Sequence, residues 1–171
     1  MRFIITAFAV GLLFATVHSH AQDTNTAPDF TLKNIEGKTV KLSEVYQDGP
    51  VILTFWSTWC KNCPEEMKHF QRFYDQYKEQ GLTVLAVSID GTKTVSKVRP
   101  WVTGRRLNYP ILLDTKGDVK RLYHVKPVPH SFVIDSKGQI VYSHVGYRPG
   151  DEVKYERHVK ELLKAAPATQ E

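Results

Sequence analysis

The chain has 171 residues, with 23 lysines and arginines against 18 aspartates and glutamates, a formal charge of +5, and only two cysteines. Its basic residues are spread along the chain with no basic run interleaved with aromatics, which argues against a strand-binding nucleic-acid groove, and two cysteines are too few for the multi-bridge framework of a small secreted scaffold. The length suffices for one hydrophobic core, and no internal repeat divides it.

Phe3 to Val17 is an apolar run preceded by Arg2 and followed by His18-Ser19-His20-Ala21, with Ser19 and Ala21 at the positions a signal peptidase reads. Residues 1–21 are therefore expected to be a secretory signal. The run falls short of the roughly 18 residues a spanning helix needs; left uncleaved, it would be an N-terminal anchor. No cysteine lies near the cut, so a lipid anchor is excluded. The expected location is periplasmic or otherwise extracytoplasmic, an oxidising space.

A polar leader, 22–28, precedes a predicted hairpin in which Phe30-Thr31-Leu32 and Thr39-Val40-Lys41-Leu42 alternate around Glu36-Gly37. Val51 to Trp56 is a continuous apolar run, the pattern of a strand buried on both faces. A helix is predicted from near Cys60 to Gln80, stopped by Gly81. Leu82 to Ile89 is a second buried strand, and Thr92 to Leu107 reads as a helix that must break or kink at Pro100. A short strand, Ile111 to Leu113, and a helix from about Lys116 to His124 follow. Ser131 to Ile134 and Gln139 to His144 flank Asp135-Ser136-Lys137-Gly138 as an antiparallel hairpin. Asp151 is placed as the cap of a last helix ending near Lys164. The domain is drawn over 29–164, with a frayed tail at 165–171. Strands separated by helices, then a hairpin and a terminal helix, imply an α/β fold: a mixed sheet with helices on both faces and an added N-terminal β-hairpin.

The two cysteines concentrate the chemistry. Trp59-Cys60-Lys61-Asn62-Cys63 follows the Val51–Trp56 strand, so the pair falls at the C-terminal end of a central strand and at the start of a helix. Helix-terminal N–H groups and the macrodipole lower the first thiol's pKa, which makes a disulfide that closes and reopens. Cys60, the more exposed, is assigned the attacking thiolate; Cys63, one turn in, resolves the mixed disulfide. So short a loop has little chain entropy to remove, which disfavours a purely structural bridge. Zinc needs more ligands than these two cysteines and no second pair exists, so neither a metal nor another cofactor is expected.

Ala27-Pro28-Asp29-Phe30-Thr31-Leu32, Phe55-Trp56-Ser57-Thr58-Trp59-Cys60-Lys61-Asn62-Cys63, Val128-Pro129 and Asp135-Ser136-Lys137-Gly138 together resemble the TlpA/ResA branch of the thioredoxin superfamily over nearly all of 27–165. The resemblance implies a thioredoxin-like fold and a monomeric, periplasmic thiol-disulfide oxidoreductase. Such a protein would act as reductant of apocytochrome or other exported thiols, with electrons from a membrane-bound donor. It also implies a cis Val128-Pro129 bond against the disulfide, with Trp59, Val128 and Pro129 contacting an extended substrate. Lys61 and Asn62 differ from the pairs usual between the cysteines, which leaves the redox potential open.

Glu66 carries a sharper expectation. Cys63, Glu66, Phe70, Phe73 and Tyr77 recur at helical spacing, so Glu66 lies on the stripe facing the sheet while Lys61, Glu65, Lys68 and Arg72 project outward. A carboxylate there must be protonated or hydrogen-bonded. Its position three after the second cysteine matches the buried glutamate of ResA-like proteins, and Thr54 stands where thioredoxins carry a buried aspartate. The plainer alternative is a first-turn glutamate favoured by the helix dipole.

His130 departs from the family's pattern, which has threonine after the proline. It could stabilise the Cys60 thiolate, join both sulfurs in binding copper, or serve only as a polar group at a strand's start. Three functions follow: an oxidoreductase exchanging the Cys60–Cys63 disulfide with protein thiols, a copper chaperone using Cys60, Cys63 and His130, and a thiol peroxidase. The chaperone reading is weakened by the two-residue cysteine spacing. The peroxidase reading is weakened because Thr58 lies two, not three, residues before Cys60.

Overall fold

The computed structural model describes residues 25–165; the signal expected over 1–21 and most of the expected tail lie outside the described residues. Seven strands and five helices follow in the order β1 (Thr31–Lys33), β2 (Thr39–Lys41), α1 (Leu42–Val45), β3 (Val51–Trp56), α2 (Cys63–Tyr77), β4 (Thr83–Ser88), α3 (Val98–Gly104), β5 (Ile111–Leu113), α4 (Asp118–Leu122), β6 (His130–Ile134), β7 (Ile140–Val145) and α5 (Glu152–Ala165). The main sheet runs β5-β4-β3-β6-β7, with β3, β4 and β5 parallel and β6 and β7 antiparallel to their neighbours. β1 and β2 form the added hairpin. This is the expected thioredoxin-like mixed sheet.

All six residues of β3 are buried, as its unbroken apolar run requires of a strand covered on both faces. Ile52 and Trp56 face one layer, which contains Met67, Phe70 and Phe73 of α2, Val98 and Val102 of α3, and Tyr155 and Val159 of α5. Val51, Leu53 and Phe55 face the other, built from Phe30, Leu42, Val119, Tyr123 and Phe132. Period-two alternation along β3 therefore separates the two cores and fixes which side each strand residue serves.

Several expectations shift. The helix carrying the cysteines begins at Cys63 rather than Cys60, so the first cysteine belongs to the preceding loop. Over Thr92–Leu107 the chain makes a 3-10 turn, Val95–Lys97, before a seven-residue α3. Pro100 is the third residue of α3, where its missing N–H has no intrahelical partner to lose, so the break precedes the proline. α4 is shorter than expected at both ends, where Gly117 and His124 adopt left-handed φ of 70° and 52°. α1, four residues directly after β2, was not foreseen.

Asp151 does not cap α5. Its carboxylate turns back to accept the Arg148 N–H at 2.9 Å and pairs with His144 at 3.1 Å and Lys154 at 3.3 Å. The leader's second half joins the fold: the Ile140 N–H donates to the Asn25 carbonyl, and Ala27, 4 % exposed, donates to the Gly138 carbonyl. Gly81, at a φ of 101°, ends the turn after α2 as expected. A side chain at Gly49 would run into its carbonyl, so this corner admits no Cβ there. Among the described residues, no helix is long and apolar enough to cross a membrane.

Candidate active site

β3 delivers the chain to the sheet's C-terminal end, where residues 57–62 form a loop and α2 returns across the sheet. Cys60 and Cys63 are joined as a disulfide, with their Cα atoms 5.5 Å apart. Their exposures differ in the expected direction: Cys60 is 8 % exposed, Cys63 fully buried, and neighbouring Trp59 is 64 % exposed. The Cys63 N–H, at the start of α2, points at the Cys60 sulfur over 3.2 Å. A helix-terminal N–H at that distance favours negative charge on Cys60 when the bridge is open.

The Val128-Pro129 peptide bond is cis. The Val128 carbonyl oxygen lies 3.5 Å from the Cys60 sulfur. Thus Val128 and Pro129, 68 and 69 residues beyond Cys60, border the disulfide, and Trp59 projects beside it.

Glu66 is buried, one helical turn past Cys63 and on the same stripe. Three hydroxyls surround its carboxyl: Ser131 Oγ at 2.9 Å and Thr54 Oγ1 at 3.2 Å from Oε2, and the Tyr155 hydroxyl at 3.2 Å from Oε1. Ser131 and Thr54 also contact each other at 2.7 Å. Burial pushes the Glu66 pKa up from 4.5 to about 8; the three hydroxyls oppose that rise and Asp151 adds to it. No basic side chain pairs with Glu66 among the described residues. This is a carboxyl that exchanges its proton near neutral pH, because desolvation disfavours the charge and only neutral donors compensate. The plainer reading of Glu66 as a solvated first-turn charge fails on its burial.

Sequence reasoning missed two of the three hydroxyls. Ser131 could have been found from the alternation of β6, which puts it on the α2 face with Val133; Tyr155 required knowing how α5 docks.

The same alternation puts His130 on the opposite face. Its ring lies tilted against Phe132 with centroids 4.3 Å apart, its Nε2 lies 3.2 Å from Ser143 Oγ, and its buried Nδ1 has no partner. Burial and, secondarily, His144 lower its pKa. The structure therefore does not group His130 with Glu66. Among the described residues there is no cluster of three His, Cys, Asp or Glu side chains able to hold a metal ion.

A CxxC disulfide at the end of the central strand of this sheet, with Cys60 8 % exposed and Cys63 fully buried one helical turn before a buried acid, defines a thioredoxin-like thiol-disulfide oxidoreductase. Comparison with known proteins specifies the kind. Residues 24–143 match the AhpC/TSA family model. The thiol-disulfide oxidoreductase ResA of Oceanobacillus iheyensis is 37 % identical over 147 residues, covering 80 % of this chain and 75 % of its own. A Chlorobium tepidum structure provisionally assigned as the thiol:disulfide interchange protein DsbE superposes with a TM-score of 0.75 at 33 % identity, over 81 % of this chain and 96 % of its own. StoA from Bacillus subtilis does so with a TM-score of 0.62 at 28 % identity, over 77 % and 97 %. The chain belongs to the AhpC/TSA family and, within it, to the thiol-disulfide oxidoreductases of the ResA type.

Proposed function

We propose that the protein is an extracytoplasmic reductant that opens disulfides in exported proteins, apocytochromes among them, and is itself re-reduced by a membrane-bound donor. The observation that carries this reading is the pairing of Cys60, 8 % exposed, with a fully buried Cys63 on the Glu66 stripe. In the first step the Cys60 thiolate attacks one sulfur of a substrate disulfide. That bond breaks, a Cys60–substrate disulfide forms, and the substrate's other sulfur leaves as thiolate and takes a proton. Cys63 then gives its proton to the Glu66 carboxylate and attacks the Cys60 sulfur, closing the intramolecular disulfide and releasing the second substrate thiol. Two electrons have passed to the substrate, and the donor restores them. Trp59, Val128 and Pro129 form the rim a polypeptide would meet. The domain, drawn over 29–164 and joined by residues 25–28 of the leader, acts as a monomer, with 1–21 as its export signal, or as its anchor if retained.

The reduction potential of the Cys60/Cys63 couple tests the direction. Equilibration with a glutathione series should give a value near the roughly −270 mV of thioredoxin, whereas one near the about −120 mV of DsbA would make the protein an oxidant.

A further inference from the structure

Asp90 is a buried carboxylate that the reaction above leaves unused. It lies just past the end of β4, 1 % exposed, and among the described residues no basic side chain pairs with it. Instead it grips the loop that carries Cys60. Its Oδ2 accepts the Thr58 backbone N–H at 2.8 Å and the Ser88 hydroxyl at 3.0 Å, and its Oδ1 accepts the Thr58 hydroxyl at 2.7 Å. The Asp90 N–H in turn donates to Ser88 Oγ at 3.2 Å. Both the backbone and the side chain of Thr58, two residues before Cys60, are thereby fixed to the rigid end of a parallel strand. From Thr58 the loop closes through the Cys60 N–H, which donates to the Ser57 carbonyl at 3.2 Å. It ends with the Cys60 sulfur 3.2 Å from the Cys63 N–H.

We propose that Asp90 is a positioning residue that clamps Thr58 and so holds the Cys60 sulfur on the free N–H at the start of α2. This rests on the reading of Cys60 as the attacking sulfur. The clamp acts by geometry and not by charge, since a carboxylate near a thiolate opposes it while a correctly placed N–H stabilises it. The two contributions separate by substitution. Asp90→Asn can keep every contact, its amide oxygen accepting from Thr58 N–H and Ser88 and its NH2 donating to Thr58 Oγ1, whose hydroxyl rotates to suit. Asp90→Ala keeps none.

The test is iodoacetamide alkylation of the reduced full chain across about pH 5 to 10, with the Cys60 and Cys63 adducts resolved by peptide mass. Asp90→Asn should alkylate at Cys60 at least as fast as wild type. Asp90→Ala should hold about threefold less Cys60 thiolate at neutral pH, its profile displaced upward by about half a pH unit. An Asp90→Ala profile identical to wild type, whatever its melting temperature, overturns the clamp, and so does an Asp90→Asn profile as slow as that of Asp90→Ala. If Asp90→Ala does not fold, Thr58→Val decides: it keeps the backbone bond, loses the hydroxyl and must alkylate more slowly at Cys60 than wild type. Faster alkylation of Cys63 than of Cys60 in the wild type would instead refute the attacking role of Cys60, an outcome visible without any Asp90 variant.

Discussion

The Tyr155 hydroxyl on α5 donates to Oε1 of Glu66 on α2 over 3.2 Å, across 89 residues of sequence. The last helix thus completes the hydroxyl shell of the buried acid one helical turn past Cys63, and that shell depends on the C-terminal third of the chain. Ser131 and Thr54 complete the shell from the two central strands.

Burial holds the Glu66 pKa near 8 against an ordinary 4.5, so the folded chain keeps a proton that the unfolded chain releases. The stability this provides is fully present below about pH 4.5 and lost as pH rises through 8, with a limiting slope of about 1.4 kcal/mol per pH unit. Glu66→Gln should fold and flatten that slope over this window. Urea midpoints of the two oxidised proteins measured against pH check this, and parallel curves would show that Glu66 ionises freely in the folded state.

Ser131→Ala removes the shortest bond to Glu66, one that favours the ionised form. The Glu66 pKa should then move above about 8, its proton affinity rising roughly tenfold, the effect of one hydrogen bond to a charged group. The carboxyl stretching band in infrared titration reads this directly. An unmoved or lower midpoint would mean that the hydroxyl does not support the carboxylate.

His130→Ala should leave thiol exchange within about threefold of wild type, under roughly 1 kcal/mol in barrier. The ring lies tilted against Phe132 on the face away from Glu66, and burial lowers its pKa, which disfavours the charge a thiolate would need. Tight stoichiometric Cu(I) binding lost in this variant would revive the copper-chaperone alternative.

Trp59, 64 % exposed, contributes little to the fold, so Trp59→Ala should change stability by no more than about 0.5 kcal/mol. It should nevertheless raise KM for a protein disulfide while leaving the reaction with a small dithiol unchanged. A loss of rate with both would place Trp59 in the chemistry of the pair and not in partner contact.

The sequence made the central strand and the cysteine pair legible because each signal is local. An unbroken apolar run marks β3, and Glu66 shares a helical stripe with Cys63, Phe70 and Phe73. What stayed hidden is nonlocal or concerns chain ends. Asp151 satisfies every rule for a cap, but His144 and the Arg148 N–H compete for its carboxylate and win. His130 was weighed as a partner of the sulfurs because it adjoins Pro129; strand alternation turns its ring to the Phe132 face, opposite Glu66. Ser131 and Tyr155 reach Glu66 only because β6 pairs with β3 and α5 docks on α2, neither of which a linear spacing encodes.

The division of labour between the sulfurs is the central claim, and trapping tests it most directly. Single-cysteine variants, each reduced and mixed with a disulfide-bonded exported protein, are quenched in acid and resolved without reductant. Cys63→Ser, which keeps Cys60, the less buried of the two sulfurs, and lacks the thiol proposed to resolve, should accumulate a mixed disulfide at Cys60. Cys60→Ser, left with a fully buried Cys63, should accumulate none. Equal trapping by both variants, or trapping by Cys60→Ser alone, would contradict the assignment.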